Sequence, residues 1–180
     1  SLESQISNIS DDIAYNNHDI QDGIRAKKIF IEQLEDIPIF YQQMKLVLNK
    51  YPSISGSKIV NETVRLIINL LVNDLINNTK SNIKNESITN FNEVRDHDKP
   101  LVCFSEEVKK SNMVLKRFLY ANLYKHPDVI KMTEEANRII KNLFSAYNND
   151  INLLPKDFYT YNLEKINSGF KERVICDYIA

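Results

Sequence analysis

Apolar positions recur every three to four residues through most of the chain, the period of helices that bury one face, and strand-type alternation is scarce. The spacing predicts a first helix over residues 2–22, ending near Gly23, with Leu2, Ile6, Ile9, Ile13, Ile20 and Ile24 as its core-facing stripe. A short helix follows over 32–36, and Pro38 opens another over 39–50, because proline is tolerated in a first helical turn. Residues 57–77 read as the central packing element, with an apolar face of Ile59, Val60, Val64, Ile67, Ile68, Leu71 and Leu75. Residues 80–99 are largely polar and read as an exposed connection. Helix resumes after Ser105, a predicted N-cap followed by Glu106 and Glu107 where the helix dipole favours negative charge. Pro127 ends that helix and begins the next, 128–147; residues 148–167 read as a loop, and a last helix starts after Gly169. The pattern therefore predicts an all-α, multi-helical bundle over residues 1–180, with no internal repeat and no internal domain boundary. Both ends fall straight into helical period, so the bundle is expected to be incomplete at both.

Composition narrows the class. With 43% hydrophobic residues the chain can bury a core, and a net charge of -1 provides no overall field to draw in nucleic acid or an anionic membrane. Basic character is confined to Lys27-Lys28, Lys109-Lys110 and Lys116-Arg117, so a nucleic-acid partner is not expected. Neither a membrane span nor a signal peptide is apparent. Cys103 and Cys176 lack metal-ligand spacing and are expected to be buried free thiols, which suits a reducing, cytoplasmic setting. The abundance of Asn, Ile and Lys is read as codon bias in an AT-rich genome.

One stretch resists a purely structural account. In "SDDIAYNNHDIQD" a single helix carries Asp11, Asp12, Asp19 and Asp22, although like charges one turn apart oppose each other. Asp11, Tyr15 and Asp19 form a row at i, i+4, i+8, beside His18 and Asp22 and away from the Ile9/Ile13 stripe. Spacing alone leaves two readings open: a solvated acidic face, or the wall of a cavity. A second row, Lys116, Tyr120 and Tyr124, lies on the later basic helix, where the alternative is an ordinary amphipathic surface with aromatics in the core.

The residues themselves carry a resemblance. "SLESQISNISDDIAYNNHDIQDGIRA" resembles the "SLEAQ…ADDIAY…HDIDDGLRA" segment of the bacterial deoxynucleoside triphosphate triphosphohydrolases, the dGTPase-like branch (type 2) of the HD-domain phosphohydrolases. The likeness continues through "VRDHDKPLVCFSEEV", "LKRFLYANLYKHPDVI" and "RVICDYIA", so that the whole chain looks like the C-terminal half of such an enzyme. The resemblance implies an HD-type helical fold and a divalent ion, Mg²⁺ or Mn²⁺, held by a His, a His-Asp pair and a later Asp. That last ligand matches Asp11. Tyr15 matches a tyrosine lying against the nucleotide, and Asp19 an acid near the sugar 3′-hydroxyl. By a looser likeness to a mammalian relative, in which an arginine precedes a Y-x-H motif by eight residues, Lys116 would meet the triphosphate and Tyr124 the sugar or base edge. Arg117 is an alternative phosphate contact, and His126 closes the motif. Lysine for arginine supplies a point charge without a bidentate fork. Asp12, His18 and Asp22 receive no role beyond helix surface or support.

His18-Asp19 and His97-Asp98 are not matched to the family's HD pair, so a complete metal site is not expected from this chain alone. The expected activity, conversion of a dNTP to deoxynucleoside and triphosphate, would need an upstream half of the same protein, and the isolated chain is expected to be inactive. The alternative is a stand-alone helical interaction module. Either version leaves apolar surface to be covered, and the resemblance implies a homo-oligomer. The isolated chain is therefore predicted to elute in size exclusion as a species larger than a compact 21.0 kDa monomer; a clean, fully helical monomer would contradict this.

Overall fold

The computed structural model describes residues 1–180, and every regular element is helical. In chain order these are α1 (Leu2–Arg25), α2 (Ile31–Leu34), α3 (Pro38–Lys50), α4 (Ser57–Asn85), α5 (Phe91–Asp96) and α6 (Glu106–Leu119). A π-helical turn (Tyr120–Tyr124) continues α6, followed by α7 (Pro127–Asn149), a 3₁₀ turn (Ile151–Leu153), α8 (Lys156–Tyr161), α9 (Leu163–Asn167) and α10 (Lys171–Ile179). The all-α expectation is met. The chain gathers into two compact units, 1–126 and 127–180.

In the first unit α1, α3, α4 and α6 pack around one core. α4 supplies its spine: Val60, Val64, Ile67, Leu71 and Leu75 are buried at helical spacing, as the sequence pattern predicts, with Ile59 and Ile68 half-buried at the margin. α3 answers with Ile39, Phe40, Met44 and Val47. Each such side chain contributes roughly 1.5–3 kcal/mol of burial against about 1 kcal/mol for a helix cap, so the apolar spacing decides the packing and the caps decide where elements begin. The start of α6 illustrates the second part. Ser105 caps Val108, and Asp74 on α4 takes both the Ser105 N–H (2.8 Å) and its hydroxyl (2.7 Å). That double bond anchors α6 to the spine.

Several elements differ from the sequence reading. α4 does not stop at 77 but runs to Asn85, because Asn78 and Asn82 turn their amides onto the carbonyls of Cys103 (2.8 Å) and Leu101 (2.9 Å). Polar residues there are structural, not loop-forming. Within the expected connection 80–99, Asn90 and Glu93 build a reciprocal capping box that nucleates α5. His97 ends α5: its Nδ1 lies 2.7 Å from the Lys99 carbonyl, which, with Glu86 nearby, raises its pKa above the ordinary 6.5. The His97-Asp98 pair thus shapes a turn. On α1, Ile6 leaves the predicted stripe and is exposed, because Gln5 faces inward and accepts the Val102 N–H (3.0 Å). Cys103 is half-buried and Cys176 exposed, not buried as expected, since Cys176 falls off the Val174/Ile175 face of α10.

The second unit replaces the expected 148–167 loop with the 3₁₀ turn, α8 and α9. Short helices form there because Asp150 caps Asn152, Pro155 precedes α8, and the Asn162 side chain returns to the Phe158 carbonyl (3.0 Å). Tyr178 of α10 meets Tyr147 edge-on (5.4 Å between centroids) and Phe158 at 5.0 Å, closing a small aromatic cluster. No helix in either unit is long and apolar enough to cross a membrane.

Gly23 lies inside α1, not beyond it. A Cβ there would stand 2.8 Å from Ile29 Cγ1 and 3.3 Å from Leu123 Cδ1, so the position requires the absence of a side chain. Gly23→Ala is expected to lower stability by about 1–3 kcal/mol, the usual cost of overpacking, despite alanine's better helix propensity. Urea unfolding measures this, and an unchanged or raised midpoint would show that Ile29 yields without cost.

Candidate functional site

Two helices of the first unit build the site. α1 and the α6/π-turn segment run parallel, as their ordered contacts show: Asp12 with Lys116, then Asp19 with Tyr124. Asp12, Asn16, Asp19 and Gly23 fall at i, i+4, i+7 and i+11, one face of α1, and this face looks across to the later segment. Between them lies an open hollow of about 460 Å³ lined by Asp12, Asn16, Lys116, Arg117, Tyr120 and Tyr124, with Met113 at its edge. A second hollow of about 280 Å³ continues it along α6, sharing Asp12, Met113 and Lys116 and adding Asn112.

The later wall owes its shape to the π-turn. From Leu119 onward the backbone widens; the Lys125 N–H reaches back to the Tyr120 carbonyl (3.1 Å), an i→i+5 bond. A wider turn advances less per residue around the axis, and it brings Tyr120 and Tyr124 to the hollow while Leu119 stays buried. Lys125 lies over the Tyr120 ring, 5.3 Å from its centroid.

Each residue singled out from the sequence has a definite place. Asp11 and Tyr15 stand exposed on the flank of α1, Tyr15 with 67% of its surface open. Asp19 is half-buried and accepts the Tyr124 hydroxyl. The expected Asp11/Tyr15/Asp19 row is therefore split: Asp19 turns to Tyr124, while Asp11 and Tyr15 stay on the exposed flank of α1. Lys116 reaches the hollow half-buried, Arg117 lines it exposed, and His126 is half-buried at the end of the unit. Asp22 pairs with Arg25 (2.5 Å) at the surface, and His18 is exposed.

Two further residues, Asp12 and Asn16, emerge only in three dimensions, and Tyr120, which spacing had grouped with Lys116 and Tyr124, joins them. Asp12, read as surface, receives the Lys116 ammonium at 2.7 Å. Both partners are substantially exposed, so the pair is worth about 0–1 kcal/mol and yields easily to a competing anion. Asn16 and Tyr120 line the hollow. The i, i+4, i+7 spacing of Asp12, Asn16 and Asp19 was the available signal for the first two. A larger hollow of about 700 Å³, between the end of α1 and the start of α4, contains no tyrosine facing an amine.

The arrangement offers positive charge, ring faces and hydroxyl partners side by side. Lys116 and Arg117 supply positive charge, Tyr120 and Tyr124 supply ring faces, and the Asp19–Tyr124 pair supplies acceptor and donor for a hydroxyl. Burial, reinforced by the hydrogen bond to Asp19 and its charge, pushes the Tyr124 phenol up to about 12, so it remains a neutral donor throughout the physiological range. As for a metal, Asp11 provides one hard oxygen donor, but no group of three or more His, Cys, Asp or Glu side chains comes together in these 180 residues.

Residues 102–180 match the phosphohydrolase-associated domain family. Over its full length the chain is 40% identical to a deoxyguanosinetriphosphate triphosphohydrolase-like protein of Thiobacillus denitrificans, of which it spans 46%. Proteins of the same description from Nitrosomonas europaea (40% identity, 46% of its length) and Ralstonia pickettii (42% identity, 45%) match all of this chain as well. The chain thus spans slightly under half the length of these relatives.

Because the Tyr124 pKa lies above its unfolded value of 10.0, the folded protein holds a proton that the unfolded chain releases. That contribution to stability is complete below pH 10 and is lost as pH rises towards 12. In a tyrosinate absorbance titration, Tyr124→Phe should delete a phenol ionising near 12, and Asp19→Asn should bring that phenol back down. A Tyr124 that titrates at 10 in the wild type would contradict this contact with Asp19.

Proposed function

We infer, from a chain homologous over its whole length to deoxyguanosinetriphosphate triphosphohydrolase-like proteins, that the α1/α6 hollow is the nucleotide-facing part of a phosphohydrolase acting on deoxynucleoside triphosphates. The reaction is hydrolysis to deoxynucleoside and triphosphate: water adds to the α-phosphorus and the bond to the sugar 5′-oxygen breaks. The single observation that supports this best is the facing of two rows, Asp12/Asn16/Asp19 and Lys116/Tyr120/Tyr124, across one open hollow.

In this reading Lys116 leaves Asp12 to meet the triphosphate, with Arg117 as a second cation at the rim. Tyr124 and Asp19, already joined, present donor and acceptor to the sugar 3′-hydroxyl, an arrangement that favours a deoxyribose with a free 3′-OH. Tyr15, exposed and next to this pair, lies against the nucleotide, and His126 supports the end of the tyrosine-bearing segment. Asp11 offers one carboxylate to a divalent ion, Mg²⁺ or Mn²⁺, whose remaining donors come from outside these residues. Such an ion, when bound, lowers the cost of charge on the phosphoryl group and of activating water. Exposed Met132, Ile139, Ile140 and Leu143 on α7 support burial of that face against the rest of the protein or a second copy. The free thiols agree with a reducing, cytoplasmic setting.

Tripolyphosphate release from mixed dNTPs with Mn²⁺ or Mg²⁺ tests the reading, on the protein that contains this chain together with its missing half and on the chain alone. Activity is expected only in the former. There, Asp11→Ala should abolish turnover without unfolding the protein, and Lys116→Ala should lower kcat/KM roughly ten- to hundredfold, the equivalent of a lost charged hydrogen bond of about 1.5–3 kcal/mol. Turnover at the wild-type rate in Asp11→Ala would remove that residue from the site, and no activity in either protein would favour the interaction module.

A further inference from the structure

The most unusual group in the hollow is an amide. Asn16 is only 9% exposed, lines the 460 Å³ hollow, and its side-chain NH₂ has no hydrogen-bond partner. A buried donor left unpaired is costly, and native proteins retain few of them. Its neighbour Asn17 does not share the predicament to the same degree, since its NH₂ donates to the Ile13 carbonyl at 2.7 Å. Asp12, Lys116, Arg117, Tyr120 and Tyr124 line the same hollow, and none of them takes a hydrogen from this amide.

Position along the trough identifies the missing acceptor. Asp12, Asn16 and Asp19 are successive on one face of α1, and their counterparts across the hollow are Lys116 before and Tyr124 after. Four residues, a rise of about 6 Å, separate Asn16 from the level of Lys116, and three, about 4.5 Å, separate it from the level of Tyr124. A ligand whose phosphates meet Lys116 and whose sugar meets Asp19 and Tyr124 therefore passes Asn16 at the junction of the two, where the α-phosphate joins the 5′-oxygen. We propose that Asn16 is a substrate-contacting residue whose amide donates to an oxygen at this junction, fixing the α-phosphate relative to the sugar. The proposal rests on the reading above, and it adds a residue to which the sequence reading gave no role.

The test uses Asn16→Leu, nearly isosteric and without polar atoms, alongside Asn16→Asp, which replaces the donor by an anion. Binding of dGTP is measured by calorimetry on the protein containing this chain, with thermal unfolding in parallel. Removing an orphaned donor should leave stability unchanged or raise the melting temperature, while dGTP affinity falls about tenfold in Asn16→Leu and further in Asn16→Asp. Binding of inorganic tripolyphosphate, which has no sugar junction, should fall in Lys116→Ala and stay unchanged in Asn16→Leu. A melting temperature and an affinity that drop together would make Asn16 structural and overturn the proposal. So would unchanged dGTP affinity in Asn16→Leu while Lys116→Ala binds weakly, an outcome that leaves the site reading intact. A wild-type protein that binds neither probe would overturn both.

Discussion

The close approach at Gly23 is the constraint on which the rest of the first unit depends. At that point α1 carries no side chain, and Ile29 and Leu123 occupy the space a Cβ would take. Leu123 belongs to the π-turn, so the contact sets how near Tyr124 comes to α1 and allows its hydroxyl to reach Asp19, one turn earlier. Farther back, Asp74 holds Ser105 and thereby the start of α6, while Gln5 holds the segment entering it. The two walls of the hollow are thus fixed at both ends by contacts that are not themselves part of it. The Asp12–Lys116 ion pair between those fixed points is exposed and weak, which leaves it the movable element.

Much of this architecture was legible in the residues. Proline at 38 and 127, serine at 105 and the apolar spacing of α4 each act through local physics, and the elements follow them closely. The capping box of α5 was also written locally, as Asn90 with Glu93 three residues on, although the polar surroundings concealed it. What escaped was decided at long range. The last turns of α4 are polar because Asn78 and Asn82 serve carbonyls some twenty residues away, and no periodicity announces such a partner. The same is true of Ile6, displaced by the inward turn of Gln5, and of the short helices after 150, whose stability comes from side-chain bonds and an aromatic cluster closed by the last helix.

For the site, periodicity alone grouped Asp11, Tyr15 and Asp19, whereas the folded chain faces Asp12, Asn16 and Asp19 towards the tyrosines. A helix has no absolute orientation until something packs against it. An i, i+4, i+8 row and an i, i+4, i+7 row differ by a rotation that only the neighbour selects. Spacing placed Asp19 and Lys116 in two separate rows, and only the fold joins those rows, through Asp12 with Lys116 and Asp19 with Tyr124.

The π-turn has a consequence best expressed in insertions and deletions. A five-residue ring in place of a four-residue one is equivalent to a single additional codon accommodated within a helix. Removing it would restore a regular α-helix through this region and leave Lys116 and the buried Leu115 and Leu119 in place, yet every residue beyond would rotate by about 100° relative to them. Tyr124 would leave Asp19, and Leu123 would leave Gly23. The reading frame of the hollow is therefore held at one residue's resolution, and a change in length there is worth more than most changes in identity.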